Sequence, residues 1–195
     1  MAEQPQLLIV AGPNGAGKTT FINTYLPEYT NVREFVNADL IAKGISPFDP
    51  EGALIEAGRV LLTRVHQLIE EGISFALETT LSGKTQLDLI QKAKERGYRI
   101  RLYYVYLNSV ELSLNRIADR VAKGGHNVSA EVVIRRYERS LRNFFSDYRA
   151  LADEWQLFDN SAATFRFVAS SNSIETIAED EGLYRYLLNA YGHSA

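Results

Sequence analysis

A phosphate-binding motif near the N-terminus constrains this chain more than any other feature. The sequence Gly-Pro-Asn-Gly-Ala-Gly-Lys-Thr at residues 12–19 fits the pattern G-x-x-x-x-G-K-[ST] at every fixed position. A continuous apolar run, residues 7–11, precedes the motif, and such a run is typical of a strand buried on both faces. A buried strand, a glycine-rich loop and a helix in this order predict a site where backbone N–H groups and a helix N-terminus bind phosphate.

The residues of the motif predict how a nucleotide is held. Its glycines let the backbone turn N–H groups inward without a Cβ clash. Lys18 is expected to reach the β- and γ-phosphates, and the Thr19 hydroxyl is expected to ligate Mg²⁺. We therefore predict ATP and Mg²⁺ as cofactors. The predicted nucleotide-binding residues in this part of the chain are Gly12, Pro13, Asn14, Gly15, Ala16, Gly17, Lys18, Thr19 and Thr20.

Apolar runs alternate with helical patterns along the rest of the chain. Strands are predicted at residues 34–37, 73–77, 100–107, 156–159 and 165–169, and helices at residues 18–26, 51–71, 85–96, 110–123, 130–151 and 174–191. This alternation predicts an α/β fold with a mainly parallel sheet covered by helices on both faces. At 195 residues the chain fits one domain, residues 1–195, with a helical lid region at about residues 112–149.

Composition excludes several other classes of protein. The chain has no cysteine, which excludes disulfides, a thiol nucleophile and cysteine-ligated metals. No apolar run approaches the roughly 20 residues that span a bilayer, and the first residues carry no basic segment typical of a signal peptide. We therefore expect a cytoplasmic protein with no membrane partner. The net charge of −3 disfavours a nucleic-acid partner.

The charge is unevenly distributed, and this favours an anionic ligand. Residues 92–142 contain 12 Lys or Arg and 5 Asp or Glu, a local net charge of +7 within an acidic chain. A basic segment of this kind is typical of a part of the chain that holds an anion. The alternative is an ordinary solvated helix face with arginines on it.

Two acidic residues follow predicted strands, where ligands bind in parallel sheets. Asp39 follows the strand at residues 34–37, and Glu78 follows the strand at residues 73–77. A kinase needs one carboxylate to accept or orient the proton of the acceptor hydroxyl, and another acid to hold Mg²⁺ or the acceptor. For Asp39 the alternative is a structural role as the N-cap of a short helix at residues 40–42.

Other nucleotide-binding classes lack their companion motifs in this chain. No Asn-Lys-x-Asp sequence is present, which argues against a GTPase switch. Residues 81–86, Leu-Ser-Gly-Lys-Thr-Gln, superficially resemble a transporter-ATPase signature, but their position after a strand predicts a turn and a helix start. These exclusions leave a small kinase.

Four stretches together resemble the zeta toxin family of small P-loop kinases. They are Gly-Pro-Asn-Gly-Ala-Gly-Lys-Thr-Thr at residues 12–20, Val-Asn-Ala-Asp at 36–39, Leu-Glu-Thr-Thr at 77–80, and the segment from Arg116 through Gly124-Gly125-His126-Asn127 to Tyr137. The resemblance implies a nucleoside-monophosphate-kinase-like three-layer sandwich with a central, mainly parallel sheet and a small helical lid. It also implies transfer of the ATP γ-phosphate to the 3′-hydroxyl of the amino sugar in UDP-N-acetylglucosamine.

The same resemblance implies roles for individual residues. Asp39 corresponds to the catalytic aspartate and contacts the acceptor, while Glu78 and Thr80 correspond to the substrate motif. The lid cations fall among Arg116, Arg120, Arg135 and Arg136. We expect Arg120 and Arg135 to act on the transferring phosphoryl group together with Lys18, and Arg116 and Arg136 to bind substrate. A separately encoded antitoxin is the implied protein partner.

Two residues and the overall function each have alternative interpretations. Asn160, within Asp159-Asn160-Ser161, is predicted either to contact the adenine side of the nucleotide or to belong to an ordinary Asx turn. His126 is predicted to contact phosphate in a closed lid or to lie in an exposed turn. The leading function is an ATP-dependent phosphotransferase with a small-molecule hydroxyl acceptor. The alternatives are a kinase of another metabolite or a nucleic-acid end, and a nucleotide-gated interaction module without transfer activity.

Overall fold

A single twisted sheet organises the described part of the molecule. The computed structural model describes residues 4–125, 127–172 and 174–192, without the side chains of residues 26–29. His126, and with it one position of the predicted lid turn, lies outside the described residues. Seven strands are present in this part of the chain: β1 (Gln6–Ala11), β2 (Glu34–Val36), β3 (Phe75–Thr79), β4 (Arg99–Tyr106), β5 (Glu154–Asp159), β6 (Arg166–Ser171) and β7 (Thr176–Ala178).

The strands lie in the order β2-β3-β1-β4-β5-β6-β7. The first five in this order are parallel, and β6 and β7 are antiparallel additions at one edge. Strand β1 is central, and its residues from Leu7 to Ala11 are fully buried, as the continuous apolar run predicts. The α/β fold with a mainly parallel sheet is therefore confirmed. The carboxyl ends of the parallel strands meet at one edge of the sheet, which is where ligands bind in such folds.

The helices in the described residues cover the sheet and form the edge of the site. They are α1 (Lys18–Tyr29), α2 (Ala38–Ile45), α3 (Leu54–Glu71), α4 (Thr85–Glu95), α5 (Val110–Ala122), α6 (Ala130–Asn143), a π-helix (Phe144–Tyr148), α7 (Arg149–Leu151) and α8 (Glu181–Tyr191). None of the helices described is both long enough and apolar enough to cross a membrane.

Two helix predictions are corrected by the structure. The helix predicted at residues 130–151 widens into a π-helix after Asn143, where Phe144, Phe145 and Tyr148 are all buried in the core. The helix predicted at residues 174–191 begins only at Glu181. Its earlier residues form β7, which pairs with β6, and the Asp180 carboxylate caps the helix by accepting from the N–H of Leu183 at 2.9 Å.

One helix end is corrected, and two other predicted boundaries hold. Pro27, predicted to end α1, lies within its last turn, and the helix continues to Tyr29. Gly72 ends α3 as predicted, in the left-handed conformation with φ of 67°. Residues 81–84 form a turn and α4 starts at Thr85, so the transporter-like segment is a turn followed by a helix start.

Candidate active site

The phosphate loop adopts a conformation that requires its glycines. Gly12 and Gly17 have φ angles of 144° and 87°, a region that side chains disfavour. A Cβ on Gly12 would lie 2.2 Å from the carbonyl oxygen of Val105, and a Cβ on Gly17 would lie 2.6 Å from Asn160 Nδ2. The motif therefore fits closely between the end of β4 and the loop after β5.

Lys18 lies at the start of α1 and points back over the loop. Its ammonium donates to the Pro13 carbonyl at 3.1 Å and lies 3.9 Å from the Glu78 carboxylate. Burial lowers the pKa of Lys18. The carboxylates of Glu78 and Asp39 oppose this shift, whereas the charges of Arg120 and Arg136 add to it. Lys18 is thus buried in the middle of the residues predicted to bind the reactants.

Glu78 joins the phosphate loop to the strand ends. One of its oxygens accepts from the Thr19 hydroxyl at 2.9 Å and from the Asn37 side-chain amide at 2.7 Å. The Glu78 side chain is 10 % exposed, so these donors satisfy a carboxylate that is mostly removed from water. Glu78 therefore contacts Thr19, the predicted Mg²⁺ ligand, directly. The substrate-binding role predicted for Glu78 did not include this contact.

Asp39 is not a helix cap, and the structural alternative for this residue is wrong. Helix α2 begins at Ala38, and its N-cap is Asn37, which has an extended backbone and accepts from the Leu40 N–H at 3.0 Å. Asp39 lies in the first turn and is exposed. Its carboxylate is therefore available to a ligand rather than used to hold the helix. Asn37 is a site residue to which sequence reasoning gave no role.

A cavity of about 260 Å³ gathers most of the predicted acceptor-binding residues. Strand ends and the phosphate loop supply one wall, and α6 supplies a cation from the other side. Among its lining residues are Asn14, Lys18, Asn37, Asp39, Glu78, Thr80 and Arg136. The structure thus brings Asp39 together with Glu78 and Thr80, which lie far from it in the sequence.

A more open cleft of about 470 Å³ adjoins this cavity, and Asp39 borders both. Thr19 and Arg120 line the cleft beside Asp39. The ring of Phe48 stands fully exposed at its margin, and Gly124 and Gly125, at the end of α5, form the opposite side. The cleft therefore lies between the α2–α3 connection and the predicted lid.

The four lid arginines occupy different places. Arg120 and Arg136 line the cleft and the cavity respectively. Arg116 lies beside the phosphate loop near Gly15 and donates to the Ala162 carbonyl at 3.2 Å, and it lines neither the cavity nor the cleft. Arg135 is exposed and lines neither the cavity nor the cleft.

Asn160 is hydrogen-bonded to the backbone of the phosphate loop. Its buried side-chain amide donates to the Ala16 carbonyl at 2.8 Å, and its backbone N–H donates to the Tyr106 carbonyl at 3.0 Å. The neighbouring Asp159 accepts from the Ser161 N–H at 2.9 Å, so an Asx turn is present as well. The loop after β5 is therefore fixed against the phosphate loop.

Asn14 lines the cavity and is only 8 % exposed. Its Oδ1 is buried and accepts no hydrogen bond from the described residues. A buried polar atom without a partner is costly, and its presence is typical of a site that completes its hydrogen bonds with a ligand. Thr20 follows Thr19 in the first turn of α1 and is exposed.

The oxygen ligands beside Lys18 suit Mg²⁺ better than a transition metal. The Thr19 hydroxyl and the Glu78 carboxylate are adjacent, and hard oxygen ligands are those that Mg²⁺ prefers. Within the described ranges, no group of three His, Cys, Asp or Glu residues is arranged to hold a metal on its own. Such a site fits an ion that is held mainly by nucleotide phosphates and water.

This parallel sheet, phosphate loop and flanking helices define a P-loop kinase fold. Residues 52–170 match the model of the family described as Zeta toxin. An uncharacterized protein of Haemophilus influenzae is 35 % identical over 134 residues, which are 69 % of this chain and 94 % of that protein. The chain therefore belongs to the zeta toxin family. The family match begins after the phosphate loop and Asp39, so the motif at residues 12–19 is evidence for the kinase fold that is independent of this match.

Two solved structures show the same fold. The AvrRxo1-ORF1:-ORF2 complex with ATP has a TM-score of 0.74 and 21 % identity, over 94 % of this chain and 63 % of that chain. The present chain therefore spans less than two thirds of that protein. A structure from the PezAT chromosomal toxin–antitoxin system of Streptococcus pneumoniae has a TM-score of 0.68 and 17 % identity, over 97 % of this chain and 85 % of that one.

Proposed function

We propose that this protein is an ATP-dependent phosphotransferase that moves the γ-phosphate of ATP to a hydroxyl group of a small molecule. One observation carries the proposal: the phosphate-loop lysine, Lys18, and an exposed carboxylate, Asp39, border the same cavity at the carboxyl ends of the parallel strands. A protein that only binds nucleotide needs Lys18. It does not need Asp39, an exposed carboxylate at the same cavity that does not cap a helix.

The nucleotide is expected to bind through residues 12–20. Backbone N–H groups of the loop and the N-terminus of α1 face the phosphates, and Lys18 contacts the β- and γ-phosphates. The Thr19 hydroxyl would hold Mg²⁺, with Glu78 accepting from Thr19. The ion, when bound, neutralises charge that develops on the phosphate oxygens. The AvrRxo1 complex, which shares this fold, was solved with ATP, and this supports ATP as the donor.

The transfer step assigns one task to each side chain. Asp39 accepts the proton of the acceptor hydroxyl as that oxygen forms its bond to the γ-phosphorus. The bond from the γ-phosphorus to the bridging oxygen breaks, and ADP leaves with the electron pair. Lys18, Arg120 and Arg136 stabilise the negative charge spread over the transferring group. Arg120 lines the cleft and Arg136 lines the cavity, and Asp39 borders both, which supports a role for both arginines at one phosphoryl group.

We propose a sugar nucleotide such as UDP-N-acetylglucosamine as the acceptor. Membership of the zeta toxin family supports this class. The cleft of about 470 Å³ beyond Asp39 offers room for a group larger than a single sugar. A separately encoded antitoxin is the proposed protein partner, because the PezAT structure of the same fold comes from a toxin–antitoxin system.

Acceptor-dependent release of ADP tests the proposal. The full chain is incubated with Mg-ATP and, in separate reactions, with sugar nucleotides, nucleosides, small metabolites and oligonucleotide ends. We expect ADP release in step with one sugar nucleotide, and loss of that release in Lys18→Ala. Release driven by a metabolite or a nucleic-acid end would replace the acceptor class. ATP binding without release in any reaction would show a nucleotide-gated binding module instead.

A further inference from the structure

The loop that follows β3 is held in place by the far end of the lid helix. Residues 79–84 connect Glu78 to α4 and carry Thr80 into the cavity. Within this loop, Leu81 is fully buried and has a φ of 52°, a left-handed conformation that a leucine rarely adopts. Such a conformation persists only where the surroundings fix it, and it is concentrated at functional sites.

Two hydrogen bonds fix the loop from outside. The Asn143 side-chain amide donates to the Leu81 carbonyl at 2.6 Å, and the Tyr148 hydroxyl donates to the Gly83 carbonyl at 2.7 Å. These two donors and the two carbonyls they hold are here called the loop bracket. Both donors come from one short stretch of chain, the end of α6 and the π-helix.

The π-helix explains why the two donors reach the same loop. Residues five apart point about 140° away from each other around an α-helix of 3.6 residues per turn. The wider turn between Phe144 and Tyr148 reduces this divergence, so that Asn143 and Tyr148 face the same loop. π-helical turns of this kind are frequently found at functional sites.

The same helix also reaches the cavity. Arg136 lies seven residues before Asn143, two turns along α6, and lines the cavity together with Glu78 and Thr80. Helix α6 therefore presents a cation to the reactants at one point and holds the loop that carries Thr80 at another. The buried contact between Tyr104 and Phe144, with ring centroids 4.4 Å apart, fixes the helix end against β4.

We propose that Asn143 and Tyr148 are positioning residues for the acceptor. They keep the loop in its strained conformation, so that Thr80 faces the acceptor, whereas ATP binding depends on the phosphate loop. This inference rests on the proposed function, because it concerns the affinity for the phosphate acceptor. Neither residue touches the phosphate loop in the contacts described.

Two variants and a matched control test the loop bracket in the full chain. Asn143→Ala and Tyr148→Phe each remove one donor, and Tyr148→Phe keeps the buried ring. Ser140→Ala is the control, because it removes a buried hydrogen bond to Tyr104, 2.8 Å long, on the same helix but away from the loop. Hydrogen exchange of residues 79–84, KM for the acceptor found by ADP release, and Kd for Mg-ATP are measured in each variant.

We expect exchange at residues 79–84 and KM for the acceptor each to rise about tenfold in both bracket variants, the effect of one lost hydrogen bond. The Kd for ATP should stay within about twofold, and Ser140→Ala should change none of the three. An unchanged KM for the acceptor, or a loss of ATP affinity as large as the rise in KM, would overturn this inference but leave the proposed function standing. Absence of transfer by the unsubstituted protein would overturn the proposed function and this inference with it.

Discussion

The Glu78 carboxylate accepts a hydrogen bond from the Thr19 hydroxyl at 2.9 Å and lies 3.9 Å from the Lys18 ammonium. One carboxylate at the end of β3 thus contacts both side chains of the phosphate loop that are predicted to bind the nucleotide and its metal. Asn37, at the end of β2, donates to the same carboxylate oxygen at 2.7 Å. The nucleotide half and the acceptor half of the site therefore share one hydrogen-bonded cluster.

Replacing Lys18 should weaken nucleotide binding and turnover. Lys18→Ala removes a charge-assisted contact to phosphate, and such contacts contribute about 1.5–3 kcal/mol, or roughly 10- to 150-fold in Kd. Calorimetric titration with Mg-ATP measures the change. Lys92→Ala, an exposed lysine on α4, is the matched control and should bind ATP as the parent does. Equal ATP affinity and turnover in Lys18→Ala and the parent would rule out the role of Lys18.

The pKa of Lys18 predicts a pH dependence for the Glu78→Gln variant. Glu78 is the strongest of the charges that raise this pKa against burial, so its neutralisation should lower the pKa further. A lysine with a lowered pKa in the folded state destabilises the fold while it is charged, and the cost is relieved as pH rises towards its ordinary value of 10.5.

The loss of stability in Glu78→Gln should therefore be largest near neutral pH and should shrink as pH approaches 10. Urea unfolding of the parent and the variant across this range measures the difference. At high pH, once Lys18 has lost its charge, the Glu78 carboxylate of the parent is buried without a cationic neighbour. This lowers the stability of the parent and further reduces its difference from the variant. A difference that is constant or grows with pH would contradict the electrostatic coupling of Glu78 and Lys18.

Capping distinguishes Asn37 from its neighbour Asp39. Asn37→Ala should lower the free energy of unfolding by about 1 kcal/mol through loss of the cap of α2, and further through loss of its hydrogen bond to the Glu78 carboxylate. Asp39→Ala should lower it far less, since its carboxylate caps nothing in the contacts described. Ser109→Ala removes the N-cap of α5 and serves as a reference for a cap away from Glu78. Equal losses for Asn37→Ala and Asp39→Ala would contradict the assigned cap.

The lid should close over bound reactants. Gly124, with a φ of 80°, and Gly125 follow the end of α5 near Arg120, and glycines absorb the backbone changes of closure. Hydrogen exchange at residues 121–125 should slow when a nonhydrolysable ATP analogue and the acceptor are both present. The buried strand β1 is the internal control. Identical exchange with and without both ligands would show that this segment does not close.

The phosphate loop and the sheet were predictable because their signals are local. The motif at residues 12–19 and the apolar run before it each fix backbone geometry within a few residues, and the strands follow from continuous apolar runs. Asp39 and Glu78 were predicted as site residues from their positions at strand ends, since parallel strands end at one edge, and both line the same cavity.

Other parts of the site depend on contacts distant in sequence. The cap at Asn37 was missed because Asn37 and Asp39 are both good capping residues, and only the start of α2 decides between them. The π-helix depends on buried aromatic packing, and no local sequence pattern predicts it. The separation of Arg116 and Arg135 from Arg120 and Arg136 depends on how α5 and α6 pack, which charge counting does not reveal.

Phosphoryl transfer by Asp39→Asn tests the central claim most directly. The substitution keeps the size of the side chain, and the Asn37 cap is retained, so the free energy of unfolding and the Kd for Mg-ATP should stay near those of the parent. A base within reach of the acceptor hydroxyl contributes about 10²- to 10⁴-fold in rate. Single-turnover transfer from ATP to the identified acceptor should therefore fall by about two to four orders of magnitude. Transfer at the parent rate would show that Asp39 is not the base, and Glu78 would become the next residue to test.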